Sequence, residues 1–273
     1  MGKIEQKFNQ PVFNIESVKG PEGSEVSFCP ERGGIITSLK LNGKEILYLD
    51  EETFKNTEVN VKGGIPILFP NAGPIPDEIQ TEELRNLKQH GFARESQWDS
   101  ERIQGGFNEI LKSNDMTKEF YPYDFEISLL GKLEKDGSFT LSQCVKNLGN
   151  EKEMPISSGF HPYFKVPSEE KKNIKFNFEG GKLIEEQVET WANGKAVSIE
   201  NPNSPLEIQI PNLGNLIISV SKEYKRIWVW SMKDKDVVCV EPVMRDKGGI
   251  IIDPEKIKPN ETLESSFNIV LEK

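Results

Sequence analysis

The sequence predicts an all-β protein built as a large antiparallel sandwich, and three observations carry that expectation. Apolar and polar residues alternate with period two in many segments. In Phe125–Leu133, for example, Phe125, Ile127, Leu129 and Leu133 alternate with Glu126, Ser128 and Lys132, the pattern of a strand buried on one face. Gly (22) and Pro (17) are spread from end to end and cut the 273 residues into short pieces. Asn42-Gly43 and Asp136-Gly137 each lie between two such pieces, and both dipeptides suit tight hairpin turns.

In chain order, strands are expected at residues 25–28, 35–40 and 45–48, the last two flanking Asn42-Gly43. Residues 125–133 and 138–146 flank Asp136-Gly137, the second placing Phe139, Leu141 and Val145 opposite Ser138, Thr140 and Ser142. Further strands are expected at 174–178, 206–210, 216–221, 227–231 and 237–241. Near the end, Leu263, Phe267, Ile269 and Leu271 alternate with Glu264, Ser266 and Asn268. One helix is expected at 77–87, where Ile79, Leu84 and Leu87 lie among acids and amides, so the class holds at most one or two short helices. No internal repeat, blade-length period or long linker is visible, which favours a single domain over 1–273 and a sandwich over a propeller.

Composition narrows the partners. The 34 Lys+Arg against 44 Asp+Glu leave a net charge of −10, and no basic run offers a footprint for nucleic acid. Cys29, Cys144 and Cys239 lie far apart with no CxxC pair, which suits a reducing compartment and excludes a disulfide framework or a Cys-based zinc site. The polar start lacks a secretory apolar stretch, Gln6 stands where a myristoylation motif wants Ser or Thr, and no apolar run is long enough to cross a bilayer. Asn260-Glu261-Thr262 fits the glycosylation pattern but reads as a chance triplet in a turn. A cytoplasmic protein without nucleic-acid or membrane partners is expected.

The residues that could carry chemistry are few. The two histidines, His90 and His161, sit in Gly/aromatic settings, QHGFAR and SSGFHPYF. Histidine titrates nearest neutrality and is the commonest proton-transfer group, although a lone histidine is more often a satisfied core or turn residue. No HxH or HxxxH spacing supports a metal. Glu241 ends the apolar run Val237–Val240, ahead of Pro242. A carboxyl at a sheet rim can be desolvated into a better base, though taken alone a solvent-facing glutamate is the simpler reading. In residues 62–74 (KGGIPILFPNAGP), Gly63-Gly64 permits close approach of backbone to a ligand and Pro66, Pro70 and Pro74 stiffen the path. The segment is not a phosphate loop. Trp98, Trp191, Trp228 and Trp230 could stack on sugars but are more often packing residues.

Together these segments resemble the aldose 1-epimerase (galactose mutarotase-like) superfamily, nearest its hexose-6-phosphate mutarotase branch. The matching residues run in order: 33–48 (GGIITSLKLNGKEILY), 63–73 (GGIPILFPNAG), 90–94 (HGFAR) with Trp98 following, 121–125 (YPYDF), 159–164 (GFHPYF) and 239–242 (CVEP). The resemblance implies a large β-supersandwich that interconverts α and β anomers of a hexose or hexose 6-phosphate without metal or organic cofactor; separately, a monomer or homodimer is expected. By that resemblance His161 protonates the ring oxygen, Glu241 takes the anomeric proton, and His90 bonds the sugar near the ring oxygen. Lys62, Asn71 and Arg94 are the expected substrate-binding residues. Two departures stand out. Many phosphate-sugar members read Arg-Gly-Gly where this chain has Lys62-Gly63-Gly64, which keeps the charge but not the bidentate fork. The family's sugar-binding aspartate has no counterpart in 180–201, where Glu185, Glu186 and Glu189 are the acids. The rival class is a non-catalytic carbohydrate-binding protein. Glycoside hydrolysis ranks last, since it wants two flanking carboxylates and only Glu241 has any context.

Overall fold

The computed structural model describes residues 12–200 and 203–272, so the N-terminal start that bears on secretion and myristoylation lies outside the described residues. Its largest unit is an eight-stranded antiparallel sheet. The spatial order is Lys175–Phe176, Leu206–Ile210, Gly214–Val220, Thr262–Leu271, Phe139–Asn147, Phe125–Leu133, Gly106–Lys112 and Asp99–Ile103. Its three central strands are the longest, and burial alternates residue by residue along them. Phe125, Ile127, Leu129, Phe139, Leu141, Phe267 and Ile269 are all at 0% exposure on the inner face. Period-two sequence has become a one-sided sheet, and burying that face is the main driving force for the fold.

A six-stranded sheet carries Glu241 and underlies the candidate site. Val197–Glu200, Arg226–Trp230, Val237–Val243, Gly159–Phe160 and Ile67–Leu68 neighbour one another in that order, with Tyr163–Lys165 also paired to Val237–Val243. All seven residues of Val237–Val243 are buried. Val238 and Val240 join the main core, while Val237 and Cys239 pack on the opposite side with Tyr163. Glu241 shares the parity of Cys239, so the alternation of side chains turns it away from the main core. A four-stranded sheet, Glu16–Lys19, Glu25–Cys29, Ile35–Leu41 and Lys44–Glu45, and the pair Met154–Ile156 with Glu255–Ile257 complete the architecture.

The hairpin signals hold: Asn42 and Gly43 have φ of 51° and 73°, the doubly positive turn that matches strand twist. The strand expected at 45–48 pairs only briefly with Ile35–Leu41. It then leaves that sheet and bridges Leu47 to Phe164 and Leu49 to Gly63, linking the four-stranded sheet to the six-stranded one.

The helix expected at 77–87 does not form. Asp77–Ile79 is a single 3₁₀ turn, and the rest closes through i→i+3 bonds such as Leu84 N–H to Thr81 O and Leu87 N–H to Leu84 O. Leu84 and Leu87 are nevertheless buried, so successive turns bring the apolar residues to the core without a helix. Among the described residues there are five α-helical turns of four to six residues, Glu51–Lys55, Asp115–Lys118, Gly181–Glu186, Val188–Trp191 and Gly249–Ile252, more than the one or two expected. Each is too short to be stable apart from the sheets it packs on. No helix among the described residues is long and apolar enough to cross a membrane.

Candidate active site

Three stretches distant in sequence meet over the six-stranded sheet. Antiparallel pairing sets Tyr163 opposite Cys239 and Cys239 opposite Trp230, while Glu241 lies opposite Trp228. One row of the sheet therefore presents Tyr163 and Trp230, and the next presents Glu241 and Trp228. His161 is pinned by its N–H donating to Pro66 O at 3.1 Å, and Tyr163 by its N–H donating to Gly64 O at 2.9 Å. The same bonds bring Lys62 alongside. Its own N–H donates to Thr53 Oγ1 at 3.0 Å and its carbonyl accepts from Asp50 N–H at 2.9 Å.

Gly63-Gly64 does not serve a ligand as the sequence reading expected. A Cβ on Gly64 (φ 63°) would lie 2.2 Å from Ile36 O, and one on Gly63 would lie 2.5 Å from Leu49 Cα. The close approach is to the protein's own strands, and its result is the placement of Lys62.

The third stretch folds back at His90, which has φ of 67°, a left-handed conformation uncommon outside glycine. Gly91 follows at φ 65°, and a Cβ there would sit 2.0 Å from Phe69 O. His90 Nδ1 accepts from Gly73 N–H at 3.1 Å. That bond puts the proton of the neutral ring on Nε2, which lies 3.1 Å from Gln89 Nε2, itself a donor, so the two do not hydrogen-bond each other in this tautomer. Asn71 holds this arrangement from behind. It is 1% exposed, is absent from the cavity wall, and its Nδ2 donates to Gly73 O at 2.8 Å and Lys88 O at 3.3 Å. The geometry makes Asn71 a support for the His90 turn instead of the sugar contact that was expected.

The resulting cavity measures about 680 Å³, room for a hexose and a substituent. His161 Nε2 and Glu241 Oε1 are 3.4 Å apart, and the two residues are 8% and 3% exposed. His90 meets His161 edge-on with ring centroids 5.7 Å apart. Lys62 Nζ lies 5.9 Å from the Trp230 ring centroid, and Arg94 Nη2 donates to Gln89 O at 3.0 Å. Five of the six expected site residues, His90, His161, Glu241, Lys62 and Arg94, thus share one cavity.

Electrostatics set the protonation states. Burial pushes the Glu241 carboxyl up to about 8, partly offset by the nearby Lys62 ammonium. Burial, reinforced by His90, Arg94 and Lys62, holds His161 well below the usual histidine range. His90 is held down at about 3 by burial and then by Arg94 and Lys62. Near neutrality the His161–Glu241 pair therefore carries one proton, on the carboxyl, and His90 is a neutral donor through Nε2. Among the described residues, no three His, Cys, Asp or Glu side chains are grouped as metal ligands.

A buried imidazole–carboxyl pair of this kind is an acid–base arrangement, and comparison with known proteins gives the family. The family model for aldose 1-epimerase matches residues 17–243. The chain belongs to the aldose 1-epimerase family. A relative in Cenchrus ciliaris, provisionally named glucose-6-phosphate 1-epimerase, is 28% identical over 173 residues, covering 55% of this chain and 50% of the relative. The chain thus spans about half the length of the curated relatives it matches. The solved structure of the Slr1438 protein from Synechocystis superposes with a TM-score of 0.84 at 27% identity, covering 98% of each chain. A galactose mutarotase-like protein from Lactobacillus casei superposes with a TM-score of 0.73 at 17% identity, covering 95% of this chain and 100% of that one. At that identity the likeness establishes the fold alone.

This family member also recruits residues that sequence reasoning did not assign. Tyr163, Trp228 and Trp230 line the cavity with Asn60, Gln89 and two further cations, Lys195 and Lys247. Where an acidic sugar contact was sought, Glu185 bonds Lys175 and the Phe176 N–H, and none of Glu185, Glu186 and Glu189 reaches the cavity wall. That region contributes Lys195. The signal for the tryptophans was present: Trp228 and Trp230 are two apart, hence on one face of a strand.

Proposed function

We propose that the protein interconverts the α and β anomers of a hexose 6-phosphate by acid–base ring opening. The observation that carries this reading is the 3.4 Å contact between His161 Nε2 and Glu241 Oε1, in a cavity whose remaining charged side chains, Lys62, Arg94, Lys195 and Lys247, are all cationic. None of the four forms an ion pair with a carboxylate among the described residues. Such a concentration of cations on a chain of net charge −10 suits an anionic ligand.

The chemistry needs one proton removed from the anomeric hydroxyl and one delivered to the ring oxygen as its bond to C1 breaks. The two oxygens share C1, so acid and base have to stand side by side, as His161 and Glu241 do. The singly protonated pair supplies both functions at once. In the resting tautomer Glu241 holds the proton and His161 has a free lone pair. Passage of the proton across the contact gives the other tautomer, in which His161 is the acid and Glu241 the base, the roles that family resemblance implies. Rotation about C1–C2 in the open aldehyde and closure on the other face reverse both transfers. His90, neutral and with its proton on Nε2, is suited to donate to a sugar oxygen.

Anomer-resolved NMR on freshly dissolved α-glucose 6-phosphate and α-glucose tests the reading. Catalysed equilibration is expected, faster for the phosphorylated sugar, and Lys62→Ala should weaken use of the phosphate ester far more than of the free hexose. Binding without faster equilibration of any hexose or hexose phosphate would refute the enzyme reading in favour of a carbohydrate-binding protein.

A further inference from the structure

We infer that Tyr163 is a positioning residue for His161, its ring face fixing the imidazole plane toward Glu241 and stabilising the imidazolium that forms as the proton crosses. The inference rests on the acid–base role proposed for His161. In many catalytic histidines a hydrogen bond on the second ring nitrogen sets tautomer and orientation. His161 has no such bond to another residue: its Nδ1 is buried with only its own backbone beside it, while Nε2 faces Glu241. Apart from the Glu241 contact on Nε2, rotation of the ring is therefore restrained by packing.

The packing is specific. Tyr163 is 3% exposed and stacks on His161 with centroids 4.5 Å apart and planes at 11°. Trp230 meets both rings edge-on, 5.9 Å from His161 at 86° and 6.3 Å from Tyr163 at 83°. His90 closes another side at 71°. The platform is itself anchored at both ends of the residue. Tyr163 N–H donates to Gly64 O at 2.9 Å, and its carbonyl accepts from Tyr48 N–H at 2.8 Å. Separation by two residues on extended backbone is what places the two side chains side by side.

Charge gives the platform a second task. The ionisable groups acting on His161 are Lys62 from the segment before Gly63, His90 and Arg94 from the turn that follows Lys88, and Glu241 from Val237–Val243. Lys62, Arg94 and a protonated His90 all oppose a positive imidazole, leaving Glu241 as the one opposite charge. The electron-rich face of Tyr163 lies within the distance at which an aromatic ring attracts a cation. It favours the charged ring without competing with Glu241 for the proton.

The chain has two histidines, so imidazole NMR resolves His161 directly, and substrate is not needed. In the wild type, face-on stacking should displace the His161 ring protons upfield of those of His90. Tyr163→Phe, which keeps the ring, should retain that displacement and hold kcat within about twofold. Tyr163→Met, which removes the ring and keeps an apolar side chain of some length, should abolish the displacement and lower kcat about 2- to 30-fold. The loss should fall on kcat more than on KM, and His161 should become harder to protonate by a comparable factor. An undisplaced wild-type resonance would overturn the inference whether or not the variants fold. So would Tyr163→Met with wild-type kcat, or Tyr163→Phe falling as far as Tyr163→Met, which would assign the effect to the hydroxyl. A protein that shows the displacement and its loss in Tyr163→Met, yet no anomerisation, would support the stacked platform and overturn the acid–base reading alone.

Discussion

Replacing Glu241 with glutamine separates what the carboxyl does for catalysis from what it does to stability. The side chain is 3% exposed and its pKa stands at about 8, against 4.5 for a free glutamate. Between those values the native state binds a proton that the unfolded chain releases, so stability falls as pH rises through this window and stays low above it. At about 1.36 kcal/mol per pH unit the displacement amounts to about 5 kcal/mol, an upper figure for a site that water and local relaxation can reach. Glu241→Gln lacks the titration. The variant should match the wild type near pH 4.5 and become more stable by up to that amount at pH 9, while its turnover falls about 10²- to 10⁴-fold. Urea unfolding of both proteins from pH 4.5 to 9 measures the gap. Glu109, fully buried and also raised to about 8, contributes the same slope to both proteins, so the difference isolates Glu241. A gap that does not widen with pH would mean the carboxyl is solvated or compensated. The one-proton pair would then fail with it.

The same proton sets the rate profile: kcat/KM should fall above about pH 8 as Glu241 ionises, with activity persisting below pH 6 because His161 is hard to protonate. Lys62→Ala, by removing the cation that lowers Glu241, should move the alkaline limb to higher pH in a stopped-flow pH series. Replacing Lys195 and Lys247 together by Ala should lower kcat/KM for a hexose 6-phosphate about tenfold or more at low salt while leaving kcat and the free hexose unaffected. The difference should shrink in a salt titration. Asn71→Ala removes two hydrogen bonds, one buried and one part-buried, and should lower stability by about 1–3 kcal/mol. It should also slow turnover through the loosened His90 turn, as read by denaturant unfolding and initial rates.

Local pattern determined much of this protein. Alternation along Phe125–Leu133, Phe139–Asn147 and Thr262–Leu271 is enough to specify strands with one buried face, because a side chain's direction in a strand follows from its parity. Asn42-Gly43 specifies its turn for an equally local reason: few residues tolerate two positive φ values in succession. The motifs around His90, His161 and Glu241 could be picked out as chemistry because histidine is rare in this chain and a lone acid closes an apolar run. Other features were decided only by tertiary structure. Residues 77–87 have the apolar spacing of a helix, yet the core accepts Leu84 and Leu87 from consecutive turns, and burial outweighs the few bonds a short helix would gain. Asn71 reads as a polar residue in a ligand loop until the fold closes Gly73 and Lys88 over it. Gly63-Gly64 reads as a ligand cradle until Ile36 and Leu49 arrive to fill the space. Lys195 and Lys247 carry no local mark at all. They become part of the site because Val197–Glu200 and Val237–Val243 flank Arg226–Trp230, which brings the segments beside them to one cavity. Pairing across such long separations depends on burying every sheet face at once, a property of the whole chain that no local window contains.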